Sequence, residues 1–517
     1  MPVCVLNSHL VRKPKSSIKE VVVERLSSLD ASFLYIETEE APLNVGTVSI
    51  FEPAEGGLDH EKLVNLIRRR LAFVPRYRQR VKDVPFGFFR PMWVDDTSFD
   101  VSFHVRRSAL PKPGSPAQLD ELVARLMSRP LDRSRPLWEM YLIEGLEQGR
   151  LAIVTKSHEA LVDGLAALDI SQVILDSQEH APAGPPDSWR PHPEPSSIEL
   201  VSASVTEVLT HPAAAAEMAV DTARDAVSGV HSIMTNVVTS SFEAASGLVS
   251  LARFGAKSPL KAKLGAQRRF SSVDLELESL RALKREAAEI NIEASLNDVI
   301  LTVVTGALRT WLMRHDAASA LHERFRALVP VSMDDALTSS RLSEYVDLDS
   351  QGRNINAYLV DLPVGEFDPV DRLVSVTEQM AVLDPSNEFM GAGALVEIAG
   401  FGPATLHALG ARVASTLSRR AYDITVTNVP GPQHALYAAG SRMIATYPCV
   451  PLVPGQVLSL GLTSYDGALH IGLMSDRDAV RDLDRISRGF EESLVGLTAA
   501  LKQRRFRQGP QLRVVNS

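Results

Sequence analysis

The stretch RPLWEMYLIEGLEQGRLAIVTKSHEALVDG, residues 135–164, has the pattern of a β-hairpin that ends in polar side chains. Two apolar runs, LWEMYLIEGL and LAIVTKS, flank EQGR, which is typical of two strands and the turn between them. The second strand runs into His158 and Glu159, and helical spacing returns after Gly164. An imidazole and a carboxylate are therefore predicted at a strand end, just before a helix.

Several kinds of site are conceivable for His158 and Glu159, and the spacing disfavours some of them. A zinc site of the type H-E-x-x-H needs a second His where this chain has Val162. Ser157 and His158 do not suit a nucleophile pair, because neighbours on an extended strand point to opposite faces. The sequence contains neither a G-x-S-x-G elbow nor a G-x-x-x-x-G-K-[ST] phosphate loop.

What remains is the pattern H-E-x-x-x-D-G between a strand and a helix. By chemistry alone, His158 suits a general base, Asp163 a residue that fixes the loop, and Gly164 a close or left-handed backbone. By frequency alone, a single His at a strand end is more often structural. Both interpretations stay open on these residues.

The composition is that of an ordinary soluble globular protein. The chain has 517 residues, enough for two domains or two large halves, with 45% hydrophobic and 23% charged residues. A net charge of −9 argues against nucleic acid as the main partner, because phosphate contacts need clustered Lys and Arg. The two cysteines, Cys4 and Cys449, support neither a disulfide framework nor a Cys-based metal site, so we expect no metal.

The sequence also carries an expectation about location. The apolar run in MPVCVLNSHLVRKPK is too short for a signal peptide. No later segment approaches the roughly 20 apolar residues that a spanning helix needs. We therefore expect a cytoplasmic protein, with peripheral attachment to the inner membrane or to lipid droplets as an open alternative.

A proline-rich stretch divides the chain. APAGPPDSWRPHPEPSSI, residues 181–198, carries six prolines and has the composition of a stiff, exposed linker. Residues 201–256 favour a helix packed across both halves over a membrane-surface helix, because the polar face lacks Lys and Arg. We predict five segments: an N-terminal extension (1–24), a first half (25–190), a Pro-rich linker with an amphipathic helical connection (191–265), a second half (266–502) and a basic, solvated and disordered tail (503–517).

Helices and strands are predicted in both halves from the period of the apolar residues. The first half has a strand in TVSIFEP (47–53) and helices at 58–74 and 118–131. The second half has a helix at 296–315 and strands in ALVPVSM, NAYLVDLPV, DITVTNVPGP and VLSLGLTSYDGALHIGLMSD. Each half is therefore predicted to be a mixed α/β unit.

The chain resembles the bacterial wax ester synthase/diacylglycerol acyltransferase family, whose members carry H-H-x-x-x-D-G after a P-L-W strand. The residues that match this strand and this motif are Pro136, Leu137, Trp138, His158, Asp163 and Gly164. Other landmarks follow in the family's order over about residues 25–500. They are the opening LSSLDASFLYIETEEAPLNVGTVSIF, the pair Asn297 and Asp298 in SLNDVIL, the strand VPVSM and the turn TNVPGP (427–432).

The resemblance implies a fold and an activity. The implied fold is that of coenzyme A-dependent acyltransferases such as chloramphenicol acetyltransferase, with two similar mixed-sheet α/β halves around a tunnel. The implied activity is transfer of a fatty acyl group from acyl-CoA, a co-substrate rather than a cofactor, to diacylglycerol or a long-chain alcohol. In the family's mechanism the second His takes the proton of the acceptor hydroxyl, and the Asp is mainly structural. Asn297 and Asp298 would support the site from the second half.

The chain departs from the family at the decisive position, because Glu159 stands where the motif has its second His. A carboxylate of pKa about 4.3 is a weaker base than an imidazole of pKa about 6.5, although burial raises the pKa of a carboxyl group. The side chain of His158 should point to the opposite face of the strand from that of Glu159, so His158 cannot simply take over the role of the base. Smaller departures are Asn44, where relatives usually have His, and Met333-Asp334, where an Arg is usual.

Three hypotheses follow. The first is a slow O-acyltransferase of the diacylglycerol/wax ester class, with Glu159 as base or electrostatic partner, His158 lining the site and Asp163 bracing the loop. The second is a catalytically degenerate protein of the same fold that binds acyl-CoA or lipid, and it is motivated by Glu159 alone. The third is transfer to a different acceptor, as related condensation-type proteins do with carrier-bound acyl groups.

Overall fold

The computed structural model describes residues 24–85, 89–162, 170–180, 189–210, 258–314, 325–331, 356–382 and 422–508. Several sequence predictions concern residues outside these ranges. They are the roles of Asp163 and Gly164, the departure at Met333-Asp334, nearly all of the N-terminal extension and most of the helix at 201–256.

A six-stranded sheet is built around the predicted hairpin. Its strands from the first half are β2 (Asn44–Phe51), β5 (Val105–Ala109), β6 (Trp138–Glu144) and β7 (Leu151–His158). The hairpin prediction is confirmed, since β6 and β7 pair antiparallel with Trp138 opposite Ser157. Because β7 lies between β6 and β2, His158 ends a strand in the interior of the sheet.

Helices cover both faces of this sheet. Its neighbours in the chain are α1 (Ser28–Ile36), α2 (His60–Arg70), α3 (Val101–His104), α4 (Pro116–Met127) and α5 (Ile170–Val173). Val154 shares a buried cluster with Val123 of α4, whereas Ile153 shares another cluster with Ile67 of α2. This division follows from the alternation of side chains along β7.

The ends of α2 and α4 differ from the predicted ranges for identifiable reasons. Asp59 accepts the amide of Lys62 at 2.8 Å and caps α2, whose last predicted residues form a 3-10 turn, Leu71–Phe73. A capping box of Ser115 and Gln118 starts α4 two residues early. Pro130 follows shortly after the end of α4, and a proline cannot continue a helix.

A small three-stranded sheet holds the end of the proline-rich stretch in place. Its strands are β1 (Glu24–Arg25), β3 (Gln79–Lys82) and β4 (Met92–Asp95). Lys82 Nζ donates to Glu194 at 2.6 Å, and His192 Nδ1 lies 2.8 Å from Asp95 Oδ2. The stretch continues into α6 (Ser197–Thr210). The described part of the predicted linker is therefore anchored, although most of its residues are exposed as predicted.

The second six-stranded sheet has the order β10-β9-β11-β14-β15-β8. These strands are β8 (Arg268–Glu276), β9 (Phe325–Val331), β10 (Asn356–Leu362), β11 (Ile424–Pro430), β14 (Leu458–Tyr465) and β15 (Ala468–Asp476). Asp466 and Gly467 join β14 to β15, and both have positive φ, as the tight Asp-Gly hairpin turn requires.

Four helices pack on one side of the second sheet. They are α7 (Leu277–Glu289), α8 (Leu296–Arg314), α9 (Pro369–Val382) and α10 (Leu483–Gln508). Val303 of α8 and Phe490 of α10 share a buried cluster with Leu473 of β15. The helix predicted at 296–315 is confirmed over its described residues, Leu296–Arg314.

A hairpin from the second half joins the first sheet, and the sequence analysis did not predict it. It consists of β12 (Tyr437–Ala438) and β13 (Ser441–Cys449), which lie between β11 and β14 of the second sheet in the chain but join the first sheet. β13 pairs antiparallel with β2, with Thr446 opposite Ser49. Tyr447 also donates to Asp274 of β8 at 2.9 Å. This hairpin therefore ties the two sheets together.

The predicted tail is wrong at its beginning. Residues 503–508 continue α10, so this helix extends past the predicted start of the tail. Arg504 pairs with Asp371 of α9 at 2.6 Å, and Arg505 pairs with Glu289 of α7. These basic residues extend the helix because they are good helix formers with acidic partners on neighbouring helices.

Candidate active site

The segment Pro136, Leu137 and Trp138 lies directly beside His158. Leu137 O accepts the amide of His158 at 2.9 Å, and Pro136 O accepts the amide of Trp138 at 2.8 Å. Trp138 Nε1 donates to Tyr77 O at 2.7 Å, so Trp138 is held through both its backbone and its ring. The end of β7 is therefore held by a rigid neighbouring strand.

His158 is fully buried and both ring nitrogens face protein groups. Nδ1 accepts the backbone N–H of Ala160 at 3.0 Å. Nε2 lies 3.4 Å from Oε2 of Glu37, close enough for electrostatic attraction between the ring and the carboxylate, although the geometry of a hydrogen bond is not met. Because Nδ1 accepts, the hydrogen-bond network assigns the ring proton to Nε2. The imidazole therefore has no lone pair free to take a proton from a substrate.

Glu37 is an acidic partner that the sequence analysis missed. It follows the last residue of α1 and its side chain is only 7% exposed. Oε1 accepts the amide of Leu43 at 3.1 Å, and Oε2 accepts from Arg133 at 2.6 Å. Burial by itself raises the pKa of Glu37, but the contacts with His158 and Arg133 outweigh it and lower the pKa to about 2. Glu37 is therefore a fixed negative charge next to His158.

Glu159 is the first residue beyond β7 and lies in a tight turn. Its amide donates to Leu43 O at 3.0 Å, and Leu161 N donates to His158 O at 2.8 Å. Burial raises the pKa of the Glu159 carboxyl to about 7. The residue nevertheless keeps intermediate solvent exposure.

Asn44 lies opposite His158 in the pairing of β2 with β7. Its Nδ2 donates to Met127 O at 3.1 Å and to Arg129 O at 2.8 Å. Lys156 Nζ also donates to Arg129 O, at 2.6 Å, and burial lowers its pKa to about 8. Asn44 and Lys156 thus satisfy the carbonyl groups at the end of α4. Asn44 therefore has a structural role in this chain.

Asn297 and Asp298 begin α8 in the second half. Asp298 and Ser295 bond reciprocally, with Ser295 N to Asp298 Oδ2 at 2.8 Å and Asp298 N to Ser295 Oγ at 3.1 Å. Burial raises the pKa of Asp298. Asn297 Oδ1 accepts from Asn428 Nδ2 at 3.1 Å, and Asn428 belongs to the turn TNVPGP. Two landmarks of the second half are thus in direct contact.

The two sets of predicted residues are not joined directly. Among the described residues, no hydrogen bond or ion pair connects His158 or Glu159 with Asn297 or Asp298. Across the same ranges, no group of three or more His, Cys, Asp or Glu side chains is arranged to hold a metal ion. None of the described helices is long and apolar enough to cross a membrane.

Two family models match the chain. Residues 26–300 match the wax ester synthase/diacylglycerol acyltransferase catalytic domain. Residues 351–498 match the WS/DGAT C-terminal domain.

Curated relatives are similar over half or nearly all of the chain. The probable diacylglycerol O-acyltransferase tgs3 of Mycobacterium tuberculosis strain H37Rv is 42% identical over 271 residues, which cover 51% of this chain and 96% of that protein. The probable diacylglycerol O-acyltransferase tgs1 of the same strain is 30% identical over 491 residues, which cover 93% of this chain and 97% of that protein.

Solved structures share the fold. The wax ester synthase/diacylglycerol acyltransferase from Marinobacter aquaeolei VT8 is 23% identical with a TM-score of 0.63, covering 92% of this chain and 100% of that one. The starter condensation domain of rhizomide synthetase RzmA is 15% identical with a TM-score of 0.51, covering 93% of this chain and 95% of that one. The predicted fold class, with two mixed-sheet halves, is confirmed. Because the catalytic model covers more than half of the residues and a relative at 30% identity spans nearly the whole chain, the protein belongs to the wax ester synthase/diacylglycerol acyltransferase family.

Proposed function

We propose that this protein is an O-acyltransferase that moves a fatty acyl group from acyl-CoA to the hydroxyl of diacylglycerol or of a long-chain alcohol. Family membership and the names of its relatives support the reaction class. The observation that carries the proposal is the position of Glu159, held by Leu43 O directly after His158 at the end of β7, where burial raises the pKa of its carboxyl group to about 7. A general base is most effective when its pKa lies near the working pH. These observations support Glu159 as the base in place of the motif's second His.

In the proposed mechanism, the Glu159 carboxylate accepts the proton of the acceptor hydroxyl while the hydroxyl oxygen attacks the thioester carbonyl carbon. The tetrahedral intermediate then collapses, the carbon–sulfur bond breaks, and the ester is released. The proton held by Glu159 passes to the departing sulfur, so CoA leaves as the thiol and the carboxylate is regenerated. Acyl-CoA is a co-substrate, and no other cofactor is needed.

The remaining predicted residues have supporting roles in this proposal. His158 lines the site and fixes the turn, while Pro136, Leu137 and Trp138 hold the strand end on which it lies. The bracing role of Asp163 and the supporting role of Gly164 stay predictions, because both residues lie outside the described ranges. Asn297 and Asp298 support the site from the second half through their contacts with Asn428 and Ser295.

A second function is favoured by one specific observation. Glu159 replaces an imidazole, and a carboxylate gives up part of the rate that a matched base supplies, typically about 10² to 10⁴. A protein of this fold that binds acyl-CoA or lipid without turnover is therefore the alternative. It would bind palmitoyl-CoA with unchanged affinity in Glu159→Gln and release no thiol.

The acceptor also bears on where the protein works. Diacylglycerols and long-chain alcohols partition into membranes and lipid droplets, so we propose a cytoplasmic enzyme that acts peripherally at such a surface. Co-flotation of the purified protein with vesicles that contain dioleoylglycerol tests this attachment. Recovery of all the protein in the unbound fraction at low and high salt would overturn it.

A substrate matrix tests the activity. Thiol release is measured with acyl-CoA whose acyl chains have about 8 to 18 carbons, lengths of the order found in membrane lipids. The acceptors are dioleoylglycerol, hexadecanol and a carrier-type thiol or amine. The control is the double variant His158→Ala with Asp163→Ala, checked for native circular dichroism. Acceptor-dependent release above this control supports the proposal. Release equal to the control with every pair, together with tight palmitoyl-CoA binding, would favour the binding protein.

A further inference from the structure

We propose that Glu37 and Arg133 are positioning residues, which act through the imidazole of His158 to hold the turn that carries Glu159. The inference rests on the proposed function only in taking Glu159 as the base. Both residues lie outside the H-E-x-x-x-D-G pattern, Glu37 directly after α1 and Arg133 on the loop before β6.

A continuous chain of contacts leads from Arg133 to the turn. Arg133 Nη2 donates to Glu37 Oε2 at 2.6 Å and also to Leu34 O at 2.8 Å, which fixes the guanidinium against α1. The same carboxylate oxygen lies 3.4 Å from His158 Nε2. His158 Nδ1 then accepts the amide of Ala160 at 3.0 Å, and Ala160 directly follows Glu159.

A second route reaches Glu159 from the other oxygen of Glu37. Glu37 Oε1 accepts the amide of Leu43 at 3.1 Å. Leu43 O in turn accepts the amide of Glu159 at 3.0 Å. Glu37 therefore has one contact that leads to the residue after Glu159 and one that leads to Glu159 itself. The carboxylate fixes the turn from both sides.

The charge of Glu37 decides which nitrogen of His158 carries the proton. A carboxylate next to Nε2 favours the tautomer with the proton there, which leaves Nδ1 free to accept from Ala160. In Glu37→Gln, one position of the carboxylate becomes an NH2 group. With Oε1 still accepting from Leu43, that NH2 group faces both Arg133 and Nε2. The ring proton then moves to Nδ1, where it meets the N–H of Ala160 and breaks that hydrogen bond.

The burial of His158 and Glu37 explains why solvent cannot replace the contact between them, whereas the Arg133 side chain is half exposed. His158 is fully buried and the Glu37 side chain is 7% exposed. Another charged group near Glu37 among the described residues is Lys156, whose ammonium is bonded to Arg129 O and lies 3.8 Å from Glu139. Lys156 is therefore committed to the end of α4 and does not substitute for Arg133.

A double-variant experiment separates positioning from general structural support. Glu37→Gln is made in the wild-type and in the Glu159→Ala background, with the exposed neighbour Glu39→Gln as the matched control. We expect Glu37→Gln to lower kcat by roughly ten- to hundredfold in the wild type, the size of effect that a base displaced by about 1 Å produces. KM for palmitoyl-CoA stays within twofold. In the Glu159→Ala background the same substitution has no effect, because the group it positions is gone.

Equal losses in both backgrounds would overturn the proposal, because they would mean that Glu37 supports the fold and not Glu159. Arg133→Gln should repeat the Glu37→Gln result, and the two together should cost little more than either alone. Additive losses would show that Arg133 does not act through Glu37.

Hydrogen exchange gives a readout that does not depend on turnover. Peptides covering residues 158–162 should exchange roughly tenfold faster in Glu37→Gln than in the wild type, and at the wild-type rate in Glu39→Gln. Unchanged exchange in Glu37→Gln would overturn the positioning role even if activity fell. If the wild type shows no turnover but the exchange result holds, the proposed function fails and the structural link stands.

Discussion

Asn428 Nδ2 donates a hydrogen bond to Asn297 Oδ1 across 3.1 Å, although the two residues are 131 positions apart in the chain. The contact joins the first turn of α8 to the last residues of β11. Asn297 is adjacent to Asp298, which caps the same helix through Ser295. The start of α8 is thus fixed both by its own cap and by a neighbouring strand.

Removal of this amide contact should weaken the second half and the activity together. In Asn428→Ala the half-buried Asn297 Oδ1 loses its partner, which costs about 1 kcal/mol of folding free energy. We expect a lower midpoint in differential scanning calorimetry and slower thiol release. His434→Ala, on an exposed residue of the loop that follows β11, is the control. Identical behaviour of Asn428→Ala and His434→Ala would contradict a supporting role.

The indole of Trp138 should stabilise the first half through its N–H group. Trp138→Phe keeps an aromatic ring against His104, whose ring is stacked at 4.6 Å, but leaves the buried Tyr77 carbonyl without its donor. Such a loss typically costs about 1 to 3 kcal/mol. We expect a clear fall in the thermal midpoint. Trp93→Phe is matched in size and burial, and equal falls for both variants would show that ring volume and not the hydrogen bond matters.

The parts that sequence predicted well depend on local patterns. The hairpin that ends at His158 follows from two apolar runs and a turn, and α8 follows from a long apolar period. Glu37 and Arg133 were missed because their role comes from a contact between distant segments, and YIETEE gives no local sign of it. The pairing of β13 with β2 was missed for the same reason. The predicted boundary between the second half and the tail, before residue 503, was wrong because acidic partners on α7 and α9 keep the last turns of α10 helical.

The contact between Asp120 of α4 and Ser272 of β8, which joins the two halves, should become weaker as the pH rises. Burial, with Asp484 and Asp274 nearby, raises the pKa of Asp120 from 3.8 to about 7, although Ser272 donates to its carboxyl at 3.1 Å. A carboxyl group whose pKa is raised by folding favours the native state below its unfolded pKa, and this contribution is lost as the pH rises through about 7. The thermal midpoint of Asp120→Asn, relative to wild type, should therefore be more favourable at pH 8.5 than at pH 6. A difference that stays constant between the two would contradict the assignment.

The rate of acyl transfer should follow the ionisation of Glu159. With a pKa of about 7, the carboxylate fraction and hence kcat should rise roughly tenfold between pH 6 and pH 8 and then level off. Ester product is measured by mass spectrometry, because thiol reagents are themselves sensitive to pH. Glu159→Gln should show a low rate without this rise. A wild-type rate that is flat over this range would exclude Glu159 as the base.

The most direct measurement is thiol release from palmitoyl-CoA with dioleoylglycerol or hexadecanol by the wild type, Glu159→Ala and Glu159→His. We expect turnover by the wild type, a loss of about 10² to 10⁴ in Glu159→Ala, and activity in Glu159→His, because the site accepts either base at this position. Silence of the wild type together with activity of Glu159→His would contradict this expectation, and the site would then be one that binds acyl-CoA after losing its base.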